Sequence, residues 1–103
     1  LRGINPKETK NNLEGIIEIA KNKNIKVIIA GMIAPTSYGF AYKKSFDKIF
    51  SDLSKKHKLQ LIPFLLEGVA QNPEFNLSDG MHPNDRGTII IGNTLKKAIL
   101  ENL

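Results

Sequence analysis

The chain has 103 residues, which is enough for one hydrophobic core but not for two. Hydrophobic residues make up 41% of the chain and charged residues 24%, a composition that argues against disordered, collagen-like and coiled-coil classes. The net charge of +5 is spread along the chain. Its densest cluster, KKHK at residues 55–58, lacks the interleaved aromatic residues of a nucleic-acid surface and is typical of a helix C-terminus.

The composition disfavours several other classes. The chain contains no cysteine, so disulfides and thiolate metal sites are excluded. Its apolar runs are much shorter than the roughly 20 residues of a membrane-spanning helix, and we expect no stable membrane insertion. No cofactor is indicated, and His57, in a lysine-rich segment without carboxylates at metal-binding spacing, gives little support for a metal site. The compartment stays open between periplasmic or secreted and cytoplasmic.

Two amphipathic helices are predicted. The first covers residues 6–22: Asn5 is a suitable N-cap, Pro6 fits the first helical position, and Glu8 follows the cap by three residues. Its apolar stripe consists of Leu13, Ile16, Ile17 and Ala20. The second helix covers residues 40–57, with an apolar stripe of Tyr42, Phe46, Ile49, Phe50 and Leu53.

Two short apolar segments predict strands. IKVIIAG at residues 25–31 is rich in β-branched residues and ends in glycine, which suits a strand buried on both faces of a parallel sheet. LQLIPF at residues 59–64 predicts a second strand, whose far end is weakened by Pro63. A long connection follows this strand, with one helical turn predicted near residues 65–70.

The last helix is predicted to begin after Asn84 and to run to about residue 101, with an apolar stripe of Ile90, Ile91, Leu95, Ala98 and Ile99. Helices and strands thus alternate, as they do in a parallel sheet with right-handed crossovers and helices on both faces. The predicted fold class is therefore α/β. Two strands buried on both faces need neighbours, and the chain begins at Leu1 rather than methionine, so we expect an N-terminal portion to supply them.

The stretch LSDGMHPNDRG at residues 77–87 carries the polar residues most suited to catalysis. A histidine general base needs a partner that fixes its tautomer, and Asp79 precedes His82 by three residues. Gly80 permits a tight turn that brings the carboxylate to Nδ1, and Pro83 biases His82 away from helical angles. The loop also follows a strand, where open α/β sheets place their sites. An acid–base pair is predicted, although the same spacing fits an ordinary turn in which Asp79 bonds backbone N–H groups.

The block DGMHPNDRG resembles the last conserved block of the SGNH, or GDSL-like, hydrolases. It matches that block at Asp79, Gly80, His82, Pro83, Asn84 and Gly87. The segments LRGINPKET, APTSYGFAYKKSF and LIPFLLEGV likewise resemble the C-terminal half of the acyl thioesterase I, lysophospholipase and arylesterase branch. The resemblance therefore covers essentially the whole chain, residues 1–103, as the C-terminal portion of a single SGNH hydrolase domain.

This resemblance implies a three-layer α/β/α fold of flavodoxin-like type and hydrolysis of small acyl ester or thioester substrates, with His82 as general base oriented by Asp79. In the family a serine is the nucleophile. Its block and the oxyanion-hole glycine and asparagine lie before the position that matches Leu1. The serines present here lack the Gly-Asp-Ser context: Ser37, Ser45, Ser51, Ser54 and Ser78. We therefore expect the chain to be inactive by itself and to have the N-terminal portion as its partner.

A substrate-binding surface is also predicted in the loop after the first strand. Met32, Ile33 and Pro35, together with residues 1–4, are candidates to line an acyl channel, because ligand pockets are mostly apolar. Ordinary loop packing explains these residues equally well. The alternative function for the whole chain is a non-catalytic structural or partner-binding fragment, in which the polar block serves folding.

Overall fold

The structure, a computed structural model, describes residues 4–101. They form two compact units, one ending at Pro63 and one beginning at Phe64. The first contains helix α1 (Pro6–Asn22), strand β1 (Ile28–Ala30), helix α2 (Phe40–His57) and strand β2 (Gln60–Ile62), and the second contains helix α3 (Asp85–Glu101). The predicted α/β class, with three helices and two parallel strands, is confirmed. Across residues 4–101, no helix has the length and hydrophobicity needed to cross a membrane.

Helix α1 begins as its sequence predicts. The side-chain oxygen of Asn5 accepts a hydrogen bond from the backbone N–H of Lys7 at 2.9 Å, which satisfies one of the unpaired donors of the first turn. Ile17 is buried, whereas Ile16, predicted on the same face, is 63% exposed. Adjacent helical positions point about 100° apart. The face that α1 buries is therefore narrower than the predicted stripe.

Helix α2 supplies most of the core of the first unit. The ring of Phe46 stacks on that of Tyr42, with centroids 6.1 Å apart, and meets the ring of Phe50 edge-on at 5.6 Å. Leu53 is fully buried, and burial of a leucine side chain contributes about 1.5–3 kcal/mol. The predicted stripe of α2 is thus confirmed. The buried core consists of Ile17, Ile29, Ala34, Phe46, Ile49, Phe50 and Leu53.

Strands β1 and β2 are parallel and shorter than the predicted segments. The ladder pairs Ile28 with Gln60, Ile29 with Leu61 and Ala30 with Ile62. It extends by one bond, from the N–H of Gly31 to the carbonyl oxygen of Ile62 at 2.7 Å, and a side chain on Gly31 would collide with the carbonyl of Pro63. Pro63 has no N–H to continue the ladder. One residue of β1 is buried and its two neighbours are half-buried, so the predicted burial on both faces is not reached within the described residues.

Polar contacts join α1 to the C-terminal end of α2. Glu14 pairs with Lys56 Nζ at 2.7 Å and with His57 Nε2 at 2.8 Å. Lys21 donates from Nζ to the carbonyl oxygen of His57 at 2.7 Å, which satisfies a carbonyl left unpaired at the helix end. The Lys56 ammonium and then the His57 ring hold the pKa of Glu14 below its ordinary value, and Glu14 raises the pKa of Lys56. The KKHK cluster therefore ends a helix, as its sequence predicts.

The connection that opens the second unit contains the predicted helical turn. The N–H groups of Val69 and Ala70 both donate to the carbonyl oxygen of Leu66, at 2.9 and 3.0 Å. A 3₁₀ turn at Pro73–Phe75 follows, which the sequence does not predict. Asn72 caps this turn, because its side-chain oxygen accepts a hydrogen bond at 3.1 Å from the N–H two residues later. The long connection is thus folded onto itself before α3 begins.

Candidate active site

Residues 77–82 form a turn, called here the histidine turn, that is closed at its base by main-chain pairing. Residues 75–77 run antiparallel to residues 82–84. The two bonds that join these segments run from Leu77 N–H to the carbonyl of His82 at 2.8 Å and from Asn84 N–H to the carbonyl of Phe75 at 2.9 Å. The main chain therefore fixes both ends of the turn.

Gly80 makes the sharp reversal inside the histidine turn. Its φ of 69° lies in the left-handed region, which glycine enters without a steric penalty. Its N–H donates to the carbonyl oxygen of Leu77 at 2.9 Å. A Cβ at this position would meet no atom within 4 Å, so the backbone angle rather than lack of space favours glycine. The tight turn predicted at Gly80 is confirmed.

Asp79 and His82 are in direct contact. The carboxylate oxygen Oδ2 of Asp79 lies 2.6 Å from Nδ1 of His82. The other oxygen, Oδ1, accepts hydrogen bonds from the backbone N–H groups of Met81 at 2.8 Å and of His82 at 3.1 Å. Asp79 therefore bonds the backbone of its own turn and also bonds the imidazole, and the acid–base role of the pair stays a prediction.

These contacts keep Asp79 ionised. The hydrogen bond from the His82 ring, followed by those from the N–H groups of Met81 and His82, lowers the pKa of Asp79 to about 2. The carboxylate therefore carries its negative charge at neutral pH and acts on Nδ1 as an acceptor. In the neutral imidazole, this contact assigns the proton to Nδ1 and leaves the lone pair on Nε2.

The His82 ring projects from the turn into solvent. Its side chain is 71% exposed, and that of Asp79 is 43% exposed. Within residues 4–101, Nε2 has no hydrogen-bond partner. An exposed imidazole whose Nδ1 is held by a carboxylate has the arrangement of a general base. It can accept a proton from a hydroxyl group placed against Nε2.

The apolar residues predicted to bind substrate lie in the first unit. Met32 is half-buried and packs against the core, whereas Ile33 and Pro35 are exposed. Between them Ala34 is buried, and its N–H donates to Oδ1 of Asp47 at 2.7 Å. This anchoring favours ordinary packing for Met32, while the acyl-binding role of the three residues stays a prediction. The first three residues of the chain, also part of that prediction, lie outside the described residues.

The anchoring of the histidine turn by asparagine side chains is not predicted from the sequence. Asn84 accepts a hydrogen bond from Gly87 N–H at 2.9 Å, as an N-cap should. It also donates from Nδ2 to the carbonyl oxygens of Glu74 at 2.8 Å and Asn76 at 3.4 Å. These acceptors lie ten and eight residues away in the sequence, and no helix or strand periodicity predicts contacts at those separations. The one available signal is the recurrence of asparagine in this segment, since side-chain amides often bond loop carbonyls.

The segment around the histidine turn also encloses a hollow of about 300 Å³. Its lining consists of Gln71, Asn72, Pro73, Asn76, Leu77, Ser78 and Gly80. In the part of the chain that the structure describes, no three side chains of His, Cys, Asp or Glu stand together as metal ligands. The histidine turn thus presents its polar pair beside a small hollow.

Comparisons with known proteins find similar chains among esterases and thioesterases. The chain is 31% identical to an arylesterase of Vibrio mimicus over 103 residues, which are 100% of the chain and 52% of that protein. It is 30% identical to thioesterase 1/protease 1/lysophospholipase L1 of Escherichia coli (strain K12) over 99 residues, covering 96% and 48%. AlinE4, an SGNH-hydrolase family esterase, has a crystal structure that matches with a TM-score of 0.73 and 35% identity, covering 99% and 54%. The chain thus matches about half the length of esterases that include an SGNH-hydrolase family member.

The matches cover at least 96% of this chain but only about half of each related protein. The chain spans about half the length of the relatives it matches, and no family model matches it. The predicted resemblance to the arylesterase and thioesterase branch is confirmed, as is the predicted SGNH fold for the portion present. The Asp79–His82 pair lies within the matched region, because the match to the arylesterase includes every residue of the chain.

Proposed function

We propose that the chain is the C-terminal part of a serine esterase or acyl thioesterase of the SGNH type. The whole protein hydrolyses small acyl ester or thioester substrates, with His82 as the general base and Asp79 as the residue that orients it. Relatives named arylesterase and thioesterase support this substrate class. The observation that carries the proposal is the 2.6 Å contact between Asp79 Oδ2 and His82 Nδ1 on an exposed turn.

The geometry of the pair supports acyl transfer in two steps. A serine hydroxyl attacks the acyl carbonyl carbon while its proton passes to Nε2 of His82, and the Asp79 carboxylate stabilises the resulting imidazolium at Nδ1. Nε2 then returns the proton to the departing alkoxide or thiolate, which leaves an acyl-serine. A water molecule attacks the acyl-serine as it gives a proton to Nε2. That proton passes to the serine oxygen as the carboxylic acid leaves.

The nucleophile and the oxyanion hole are proposed to come from an N-terminal portion of the same protein. The chain spans about half the length of its relatives. Two of its own serines are engaged inside the first unit: Ser54 donates its hydroxyl to the carbonyl of Leu59 at 2.7 Å, and Ser51 donates to that of Lys48 at 3.2 Å. Each oxyanion-hole donor contributes roughly 3 kcal/mol to catalysis. Without these groups, the 103 residues are expected to be inactive.

Replacement of the two histidines tests the assignment. In the full-length protein, His82→Ala should lower kcat for a short p-nitrophenyl ester and for an acyl thioester by roughly 10⁴-fold or more, since proton transfer is lost. His57→Gln is the matched control, because its ring pairs with Glu14 in the first unit, and its kcat should be unchanged. Near-normal turnover by a folded His82→Ala variant would contradict the proposed function.

A further inference from the structure

Asn84 stands where the histidine turn meets helix α3 and the 3₁₀ turn Pro73–Phe75. On the helix side, its Oδ1 accepts a hydrogen bond from Gly87 N–H at 2.9 Å. On the other side, its Nδ2 donates to the carbonyl oxygen of Glu74 at 2.8 Å, with a longer contact to that of Asn76 at 3.4 Å. One side chain therefore bonds both the first turn of the helix and the segment across the base of the histidine turn.

The helix requires only half of these contacts. An N-cap needs a side-chain oxygen that accepts a backbone N–H, and serine, aspartate and asparagine supply one about equally well. The two bonds from Nδ2 go to the carbonyl groups of Glu74 and Asn76, which lie next to and within the segment that pairs with residues 82–84, and not to α3. The amide nitrogen of Asn84 thus has an effect separate from helix capping. It fixes the position of residues 74–76 relative to the residues that follow His82.

We propose that Asn84 is a positioning residue for the His82 base, an inference that rests on the function proposed above. Its amide locks the base of the histidine turn, so that Nδ1 stays against Asp79 and Nε2 keeps one direction. Without the amide, the turn retains its main-chain bonds but loses a side-chain restraint at its base. In enzymes, a misplacement of about 1 Å costs on the order of 100-fold in rate, so a small displacement of the His82 ring is sufficient to reduce turnover.

Two substitutions separate positioning from capping. Asn84→Ser keeps an oxygen that accepts from Gly87 N–H but has no amide to donate. Asn84→Asp also keeps the cap, and it places a second carboxylate oxygen against the carbonyl of Glu74, which repels it. If Asn84 served only as an N-cap, both variants would resemble the wild type in activity, because all three residue types cap well.

Turnover in the full-length protein gives the first readout. We expect kcat to fall about tenfold in Asn84→Ser and further in Asn84→Asp, with KM unchanged, because the loss lies in the placement of the base. Ala98→Gly is the control for stability. Ala98 is buried in the same helix, far along it from the histidine turn, and glycine there weakens the helix. This variant should have a lower melting temperature and an unchanged kcat.

Titration of the Asp79 carboxyl carbon by NMR gives a second readout that does not depend on turnover. The wild-type pKa of about 2 reflects the bonds within the turn, so it should rise in both Asn84 variants and not in Ala98→Gly. If the pKa of Asp79 is unchanged in the two Asn84 variants, the proposal is overturned. It is also overturned if their kcat is unchanged while His82→Ala inactivates the protein. If His82→Ala retains turnover, the proposed function fails, and the titration alone decides whether Asn84 positions the pair.

Discussion

The chain contains two histidine–carboxylate pairs that are built in different ways. Nε2 of His57 lies 2.8 Å from a carboxylate oxygen of Glu14, and the His57 side chain is only 12% exposed. Nδ1 of His82 lies 2.6 Å from a carboxylate oxygen of Asp79, and the His82 side chain is 71% exposed. The chemical groups are the same. The difference lies in which ring nitrogen is bonded and in what surrounds the ring.

The nitrogen that each carboxylate bonds determines what the ring can still do. Nε2 lies at the tip of the side chain, and Glu14 occupies it in His57. In His82 the carboxylate of Asp79 bonds Nδ1, which lies near the backbone, and the nitrogen at the tip faces solvent. Only the second arrangement presents a basic nitrogen to an incoming hydroxyl group. A histidine next to a carboxylate is therefore not enough to indicate a base.

Separation along the chain also distinguishes the two pairs. Glu14 and His57 are 43 residues apart, so their bond forms only when α1 packs against α2, and it stabilises that packing. Asp79 and His82 are three residues apart, and a short turn brings them together at little entropic cost. The first pair is a consequence of tertiary folding. The second is formed by local structure alone.

Neutralising each carboxylate in turn gives the largest expected contrast. In the full-length protein, Asp79→Asn should lower kcat by about 10³–10⁴-fold, because the amide stabilises the imidazolium less and permits the wrong tautomer. Glu14→Gln should leave kcat unchanged and lower the melting temperature, because Lys56 and His57 lose their anion. Steady-state kinetics and thermal unfolding measure the two effects. Equal losses of activity in two folded variants would show that the pairs are not functionally distinct.

Features that depend on near neighbours could be predicted from the sequence. Helices α1 and α2 have the predicted bounds, residues 6–22 and 40–57, because caps and apolar stripes act over one or two turns. The histidine turn was predictable for the same reason. Gly80, the three-residue spacing of the pair and the proline that follows it all act within a few residues.

Features that depend on distant partners could not be predicted. No spacing pattern shows that Glu14 is the partner of His57, or that the Asn84 amide reaches across the base of the turn. The extent of each strand depends on the neighbour it pairs with, which explains why both are shorter than the apolar segments that contain them. Ile16 is exposed because the width of the face that α1 buries is set by α2 and not by α1 alone.

Two glycines of helix α3 test how closely this helix packs against the base of the histidine turn. A Cβ on Gly87 would collide with the carbonyl oxygen of Phe75 and lie 3.2 Å from Cβ of Pro83, at the base of the histidine turn. Gly87→Ala should therefore destabilise the protein by about 1–3 kcal/mol and also reduce kcat. Gly92→Ala is the matched control. No atom lies within 4 Å of that Cβ position, so alanine should stabilise the helix by about 0.5–1 kcal/mol.

Urea unfolding and steady-state kinetics of the two variants check this prediction. The sign of the stability change is the decisive quantity, because the two substitutions add the same methyl group to the same helix. If Gly87→Ala were as stable as Gly92→Ala and fully active, then α3 would not approach Phe75 closely, and the histidine turn would have to be held by its main-chain bonds and by Asn84 without this contact.

The pH dependence of stability gives the smallest expected effect. The pKa of Asp79 is about 2 in the folded chain, against an ordinary value of about 3.9 in an unfolded chain. Between these values the folded state binds fewer protons than the unfolded state, so stability rises with pH. The contribution of Asp79 is therefore complete above about pH 4 and is lost as the pH falls through about 2. Because both side chains of the pair are largely exposed, solvent and salt weaken it.

Urea unfolding of the wild type and Asp79→Asn between about pH 6 and about pH 2 measures this contribution. The difference in their free energies of unfolding should narrow below about pH 4, and added salt should reduce it. A difference that stays constant with pH would mean that the carboxylate is not in the bonded contact. Glu14→Gln should show an acid-dependent effect of the same sign, because Lys56 and His57 lower the pKa of Glu14. Both carboxylates would then stabilise the folded chain more at neutral pH than in acid.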